Sequence, residues 1–92
     1  MIRITRTRER SVLRLVVEGT LSGAWVDELE KCWKDSTRSD NGERVRVDLS
    51  AVSYIDDRGR ELLKVMFSGG AELHATGVMT RRIIEEISEN NL

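Results

Sequence analysis

The chain has 92 residues, of which 39% are apolar and 34% are charged. This length predicts one small domain over residues 1–92, with a solvated and charged surface. Its 15 Lys and Arg against 16 Asp and Glu give a net charge of −1, so the whole molecule is not drawn toward nucleic acid. A lone cysteine and a first segment without the apolar core of a secretory signal favour a cytoplasmic protein. The lack of an apolar run of about 20 residues predicts that the chain inserts into no membrane.

Two strands and a helix are predicted in the first part of the chain. Residues 2–6 alternate weakly, as an edge strand can, and residues 12–18 alternate more clearly. Residues 24–35 have helical spacing, and Ser22 is placed to cap that helix. The polar stretch 36–42 predicts a loop. The apolar stripe of the helix is predicted to consist of Trp25, Leu29, Cys32 and Trp33.

Two further strand–helix pairs are predicted in the second part. Residues 44–50 alternate strictly, and residues 58–67 return to helical spacing before Gly69 and Gly70 end the helix. Residues 71–76 alternate again, and a last helix is expected over about 78–89. The inward side of this last helix is predicted to carry Ile83, Ile84 and Ile87, with Met79 or Thr80 one turn earlier.

The predicted order is therefore β-β-α-β-α-β-α, an α/β domain with a small mixed sheet. Strand–helix–strand units imply parallel strands. Parallel strands that are covered on both faces read as unbroken apolar runs, whereas these strands alternate. We therefore expect the helices to lie mainly on one face of the sheet. The other face is predicted to expose Arg14, Arg44, Arg46, Asp48, Glu72 and His74.

The segment that follows the third predicted strand is the most informative. Residues 48–63 read DLSAVSYIDDRGRELL. This run resembles the signature of STAS domains, the fold shared by bacterial anti-sigma factor antagonists and sulfate-transporter tails. The stretch 17–21, VEGTL, is similar to the Gly-Glu-Leu segment of that family, and residues 70–73 and 77–87 also fit. The resemblance covers nearly the whole chain and implies a regulatory domain that works by binding protein.

The departures from the family pattern concern its phosphorylation switch. In the antagonists, the first serine after the Asp accepts a phosphate from a partner kinase. Asp57 stands at that position here, and Arg58 replaces the second serine. Ser22 stands where the family often has an acidic residue. The resemblance therefore implies a domain that is not phosphorylated at the usual site.

Two roles remain open for the adjacent carboxylates. Asp56 or Asp57 can cap the following helix, because free N–H groups at a helix N-terminus favour a carboxylate. Alternatively, Asp57 carries a fixed negative charge at the position where relatives gain negative charge by phosphorylation. Arg58 either pairs with Asp57 and mutes its charge or contacts a carboxylate on a partner.

Catalytic and metal-binding roles have little support in the sequence. His74 is the single histidine, it lies on the polar side of a predicted strand, and no cysteine cluster accompanies it. Cys32 is predicted to be a buried, inert thiol. Trp25 is expected in the core, and becomes an interface anchor if the preceding loop leaves it exposed. We expect no catalytic residue, no metal and no cofactor.

We therefore predict a non-enzymatic interaction domain whose partner is an anti-sigma-factor-like or kinase-like protein. The alternative is an accessory subunit of a membrane transporter for lipid, since small STAS-like domains also serve there. The sequence leaves open whether Ser50 or Ser53 is phosphorylated and whether dimers form through the exposed sheet face. The predicted partner-binding residues are Ser22, Tyr54, Asp56, Asp57, Arg58 and Gly59.

Overall fold

The computed structural model describes residues 1–37 and 44–90. These residues confirm the predicted order of elements. Residues 38–42 of the predicted loop lie outside the described residues, whereas residues 36 and 37 belong to the first helix. The elements are β1 (Ile2–Glu9), β2 (Val12–Leu21), α1 (Ala24–Thr37), β3 (Arg44–Ile55), α2 (Asp57–Ser68), β4 (Glu72–His74) and α3 (Val78–Asn90).

The four strands form one mixed sheet in the order β1-β2-β3-β4. β1 pairs antiparallel with β2, and the pairs β2–β3 and β3–β4 are parallel. The carboxyl ends of β2, β3 and β4 therefore lie at the same end of the sheet. Because β1 runs the opposite way, its first residues lie at that end too.

The core lies between one face of the sheet and the helices. Alternate residues of β2 and β3 are buried, while the residues between them face outward. Each helix adds at least one fully buried side chain, as expected when helices cover a single face. The fully buried residues from the two central strands and the three helices include Leu15, Val17, Val47, Leu49, Leu29, Leu63 and Ile87.

The opposite face is open and charged, as predicted. Arg14 donates to Asp48 across the β2–β3 pair, at 2.9 Å from Nη2 to Oδ2, and the Ser50 N–H donates to the other oxygen of Asp48 at 3.0 Å. Partial burial of Asp48 acts to raise its pKa, but the hydrogen bonds from Ser50 and the nearby Arg14 outweigh it and lower the pKa to about 2. Asp48 is thus held ionised on this face.

β3 is five residues longer than predicted because it stays paired with β2 as far as Ile55, beyond two bulges. Val16 pairs with Asp48 and Glu18 with Ala51, so β3 carries one extra residue there, and a second register shift follows between Gly19 and Thr20. Bulges break the two-residue alternation. Ser50 and Ala51 are therefore both exposed, and the alternation that predicted a strand ends at residue 50.

The prediction for the apolar stripe of α1 was wrong by one residue at its start. Val26, Leu29 and Ser36 are buried, Trp33 is half-buried, and Trp25 is 41% exposed. The spacing i, i+3, i+7, i+10 from Val26 still forms one helical face. The Ser36 hydroxyl donates to the Cys32 carbonyl at 2.7 Å, so its burial leaves no unmet polar group.

Smaller corrections concern Cys32, β4 and α3. The Cys32 side chain is half-buried rather than buried. β4 is limited to three residues, although Ala71 and Ala75 on either side of it are buried as the alternation predicted. In the first turn of α3, Thr80 faces the core and Met79 is exposed.

Candidate protein-binding site at the carboxyl end of the sheet

Two loops meet where β2 and β3 end. Leu21 and Ile55 are the last residues of these parallel strands and pair directly with each other. The connection from Leu21 into α1 therefore lies beside the connection from Ile55 into α2. At the start of α1, the Ser22 carbonyl accepts a hydrogen bond from the Trp25 N–H at 3.1 Å.

Asp56 joins the two loops and caps α2. Its Oδ1 accepts from the Gly59 N–H at 2.8 Å, and its Oδ2 accepts from the Gly23 N–H at 2.9 Å. Its own N–H donates to the Leu21 carbonyl at 3.1 Å. The N–H groups of Gly23 and, second, Gly59 lower the pKa of Asp56 below its usual range. Of the two carboxylates that the sequence could not distinguish, Asp56 is the cap.

Gly59 lets the first turn of α2 approach the end of β2. A Cβ atom at this position would lie 2.6 Å from the Leu21 carbonyl oxygen and 3.0 Å from side-chain atoms of Ile55 and Leu21. Only glycine fits this contact without a shift of the backbone. Gly59 is thus a positioning residue of the site, buried beneath its surface.

Asp57 is the first residue of α2, and its side chain is exposed. Within the described residues it makes no hydrogen bond or ion pair. Arg58 does not neutralise it, because Nη2 of Arg58 donates to Asp27 Oδ1 at 3.0 Å and Nη1 donates to the Gly23 carbonyl at 3.2 Å. The Asp57 charge therefore stands at a helix N-terminus, where it is favoured, without an internal cation beside it.

Two exposed aromatic side chains lie close to this turn. Trp25 follows Gly23 by two residues in the first turn of α1, and Tyr54 precedes Asp56 by two residues near the end of β3. They are 41% and 59% exposed. Val78 and Met79 are also exposed, but they begin α3 after β4, whose last residue His74 pairs with Asp48 rather than with the end of β3.

Sequence reasoning included Tyr54 in the site but expected Trp25 in the core. A helical stripe gives no indication of which side of its border is solvated. The available signal is the adjacent apolar pair Trp25 and Val26. Only one position of such a pair can face the core at the start of a helix.

A groove of about 360 Å³ runs between α1 and α2 beside the turn. Val26, Leu62 and Val65 provide its apolar part. Four carboxylates line it, and three of them are ion-paired: Asp27 with Arg58 at 3.0 Å, Glu30 with Lys34 at 3.7 Å and Glu61 with Lys64 at 3.3 Å. The four acidic residues are Asp27, Glu30, Asp57 and Glu61.

The side chains that could support catalysis do not converge. His74 lies on the open face, where it pairs with Asp48 across β3 and β4. Cys32 lies on the helical side, in a groove beside Ile2 and Ile4 of β1. The two are on opposite faces of the sheet. The described part of the chain also contains no group of three or more His, Cys, Asp or Glu side chains arranged to hold a metal ion.

Comparisons with known proteins support the fold. A solved structure of an uncharacterized DUF3478-family protein from Shewanella loihica PV-4, with a SpoIIAA-like fold, is 13% identical, with a TM-score of 0.58 over 86% of this chain and 71% of that chain. A second structure, of a protein described as Mglu, is 22% identical, with a TM-score of 0.60 over 79% of this chain and 19% of that chain. The chain therefore has a SpoIIAA-like, STAS-like fold.

The chain spans less than a fifth of the length of the Mglu protein and most of the length of the DUF3478 protein. No protein-family model matches the sequence, and no curated protein matches it. Among the described residues, no helix has the length and apolar character that crossing a membrane requires.

Proposed function

We propose that this protein is a non-enzymatic regulatory domain that binds a protein partner through the carboxyl end of its sheet, without phosphorylation at position 57. The docking surface, as we use the term, consists of Trp25, Tyr54 and Asp57. The remaining residues that the sequence predicts to bind the partner would mainly hold the two loops in place. They are Ser22, Asp56, Arg58 and Gly59.

The observation that carries the proposal is the uncompensated Asp57 carboxylate beside exposed aromatic side chains. Arg58 is engaged with Asp27 at 3.0 Å, which leaves the charge of Asp57 available to a partner. Trp25 and Tyr54 are the residue types that most often contribute strongly to binding at interfaces. Exposed aromatic side chains in the loops next to one fixed charge are typical of a docking surface rather than a solvated face.

A fixed carboxylate would make the interaction constitutive. A phosphoserine carries about −1.5 to −2 charge and three acceptor oxygens, whereas Asp57 carries a single permanent negative charge. A partner kinase could therefore neither add to nor remove the charge at this position. Control would come from the amount of protein or of its partner.

The groove between α1 and α2 indicates the chemistry of the partner. Its apolar part, Val26, Leu62 and Val65, lies beside Asp57, the one of its four carboxylates without an ion pair among the described residues. A partner segment with apolar side chains and nearby Lys or Arg would complement it. An anti-sigma-factor-like or kinase-like protein that presents such a segment is the partner we propose.

The test is affinity capture from a lysate of the source organism, read by mass spectrometry. The wild-type protein is compared with Asp57→Arg and with Glu85→Arg, a control with the same charge change at an exposed position of α3. We expect a kinase-fold protein or sigma regulator that is lost with Asp57→Arg and retained with Glu85→Arg. Recovery of a permease and its ATPase instead would favour the lipid-transporter subunit, and equal recovery with both variants would contradict the proposed site.

A second arm tests the absent switch. When the captured partner is a kinase, Asp57→Ser is expected to take up phosphate from ATP, and the wild-type protein is not. Incorporation into wild-type protein at Ser50 or Ser53 would show that the switch has moved rather than disappeared. The Ser53 hydroxyl donates to the Gly19 carbonyl at 3.2 Å, so its modification would have to break that contact.

A further inference from the structure

A row of hydrogen-bond donors crosses the open face of the sheet. Thr7 of β1 pairs with Arg14 of β2, and Arg14 pairs with Arg46 of β3. Residues paired in this way point to the same face, on neighbouring strands about 5 Å apart. The open face is the side of the sheet that α1, α2 and α3 do not cover, so all three side chains reach solvent.

Two directly opposed arginines are an unfavourable arrangement in a sheet, and only one of this pair is neutralised. Arg14 donates to Asp48 at 2.9 Å. Arg46 has no ion pair or hydrogen bond from its side chain within the described residues. Glu72, its neighbour on β4, is held by Arg44 at 2.6 Å. The Arg46 guanidinium thus keeps its donors available.

Arg10 adds a third guanidinium at the end of the row. It lies between β1 and β2 with φ at 59°, and it too has no side-chain partner among the described residues. Arg10, Arg14 and Arg46 line one cleft of about 410 Å³ together with Thr7, Glu9 and Val12. Glu9 is the one carboxylate among the residues that line the cleft, and Asp48 beside it is already held by Arg14, so three guanidinium groups face two carboxylates.

We propose that this cleft binds a phosphate group carried by a small molecule or a lipid headgroup. A guanidinium presents planar paired donors that match two phosphate oxygens, and it keeps its charge at every physiological pH. Arg10 and Arg46 bind the anion, the Thr7 hydroxyl donates to it, and Arg14 supplies charge while it remains paired with Asp48. A bound phosphate also removes the repulsion between Arg14 and Arg46.

The site is separate from the proposed docking surface. It lies toward the amino ends of β2 and β3, because Val12 and Arg44 begin these strands and pair with each other. The docking surface lies at their carboxyl ends. Substitutions at one site therefore leave the other unchanged, and the two proposals can fail independently.

The experiment titrates the ¹⁵N-labelled protein with pyrophosphate and follows backbone amide shifts. Arg10→Gln/Arg46→Gln is compared with Arg81→Gln/Arg82→Gln, which removes the same charge from exposed positions of α3. We expect saturable shifts at Thr7, Arg10 and Arg46 in the wild-type protein. We expect affinity to fall by about tenfold or more in the first variant and to stay unchanged in the second.

A vesicle arm distinguishes the source of the phosphate. Co-sedimentation is measured with phosphatidylcholine vesicles that contain or lack phosphatidic acid. Binding of the protein to vesicles that requires phosphatidic acid and is lost in Arg10→Gln/Arg46→Gln identifies a lipid headgroup. Amide shifts with pyrophosphate, without binding to vesicles, identify a soluble phosphate. Absence of both signals, or an equal loss in the two double variants, overturns the proposal.

Discussion

Gly59→Ala tests the contact that holds α2 against the end of β2. The new Cβ would lie 2.6 Å from the Leu21 carbonyl oxygen, and real Cβ contacts are essentially never shorter than 3.0 Å. The first turn of α2 must therefore move away from β2 by several tenths of an ångström, which also lengthens the cap from Asp56. Overpacking of this kind costs about 1–3 kcal/mol, and the better helix propensity of alanine returns up to about 1 kcal/mol. We expect a net loss of about 1–2 kcal/mol.

The measurement is urea unfolding followed by circular dichroism, with Gly77→Ala as the matched control. A Cβ at Gly77 meets no atom within 4 Å and φ there is not in the left-handed region. The Gly77 carbonyl accepts from the Arg81 N–H at 2.9 Å, so Gly77 caps α3 and alanine there loses part of the N-cap preference. The control is therefore expected to cost no more than about 0.5–1 kcal/mol, less than Gly59→Ala. Equal effects of the two substitutions, or no effect at Gly59, would refute the close approach as the reason for glycine.

Three further predictions follow from single side chains. Asp56→Ala is expected to lower the thermal unfolding midpoint clearly more than Asp57→Ala. The Asp56 carboxylate accepts hydrogen bonds from two backbone N–H groups, whereas Asp57 accepts none from a described residue. Equal midpoints for the two variants would contradict this. The low pKa of Asp48, about 2 against 3.8, adds stability that solvent screening limits to about 1–2 kcal/mol. This contribution is complete above about pH 5 and is lost as the pH falls through 2. Acid titration of Asp48→Asn should show a shallower loss of stability, and an unchanged loss at acid pH would count against it. Trp33 packs against the core, so Trp33→Ala is expected to lower the free energy of unfolding in urea by about 2 kcal/mol or more. Trp25 is exposed, so Trp25→Ala is expected to lower it by less than about 1 kcal/mol. The reverse order would show that Trp25 packs in the core.

Much of the architecture could be predicted from periodicity. Burial on one face of an element appears directly in the spacing of its apolar residues. This holds for the alternation in residues 12–18 and 44–50 and for the helical spacing in residues 58–67. The same alternation correctly indicated an open sheet face. These features involve one element packed against one core, so no long-range information is needed.

Register and close contacts could not be predicted in this way. The extra residues of β3 opposite Glu18 and Thr20 depend on how two strands pair, and residues 51–55 look irregular without their partner. Trp25 was placed in the core because a large apolar side chain at the start of a helix fits a stripe that Val26 also fits. The border of a stripe is decided by tertiary packing.

The different roles of Asp56 and Asp57 could not be predicted from the sequence either. Both residues fit the start of a helix, and the choice depends on the Gly23 N–H, which belongs to a loop 33 residues earlier. The Arg58–Asp27 pair is a similar case, at a separation of 31 residues. Contacts of this range join elements whose relative positions no local pattern encodes.

The central claim is that a protein partner docks at the carboxyl end of the sheet. Hydrogen–deuterium exchange of the protein with and without its captured partner tests this most directly. We predict slower exchange in residues 21–27 and 54–62 in the complex and no change in residues 3–9 and 44–48. Protection confined to residues 3–9 and 44–48, on the open face, would contradict the claim.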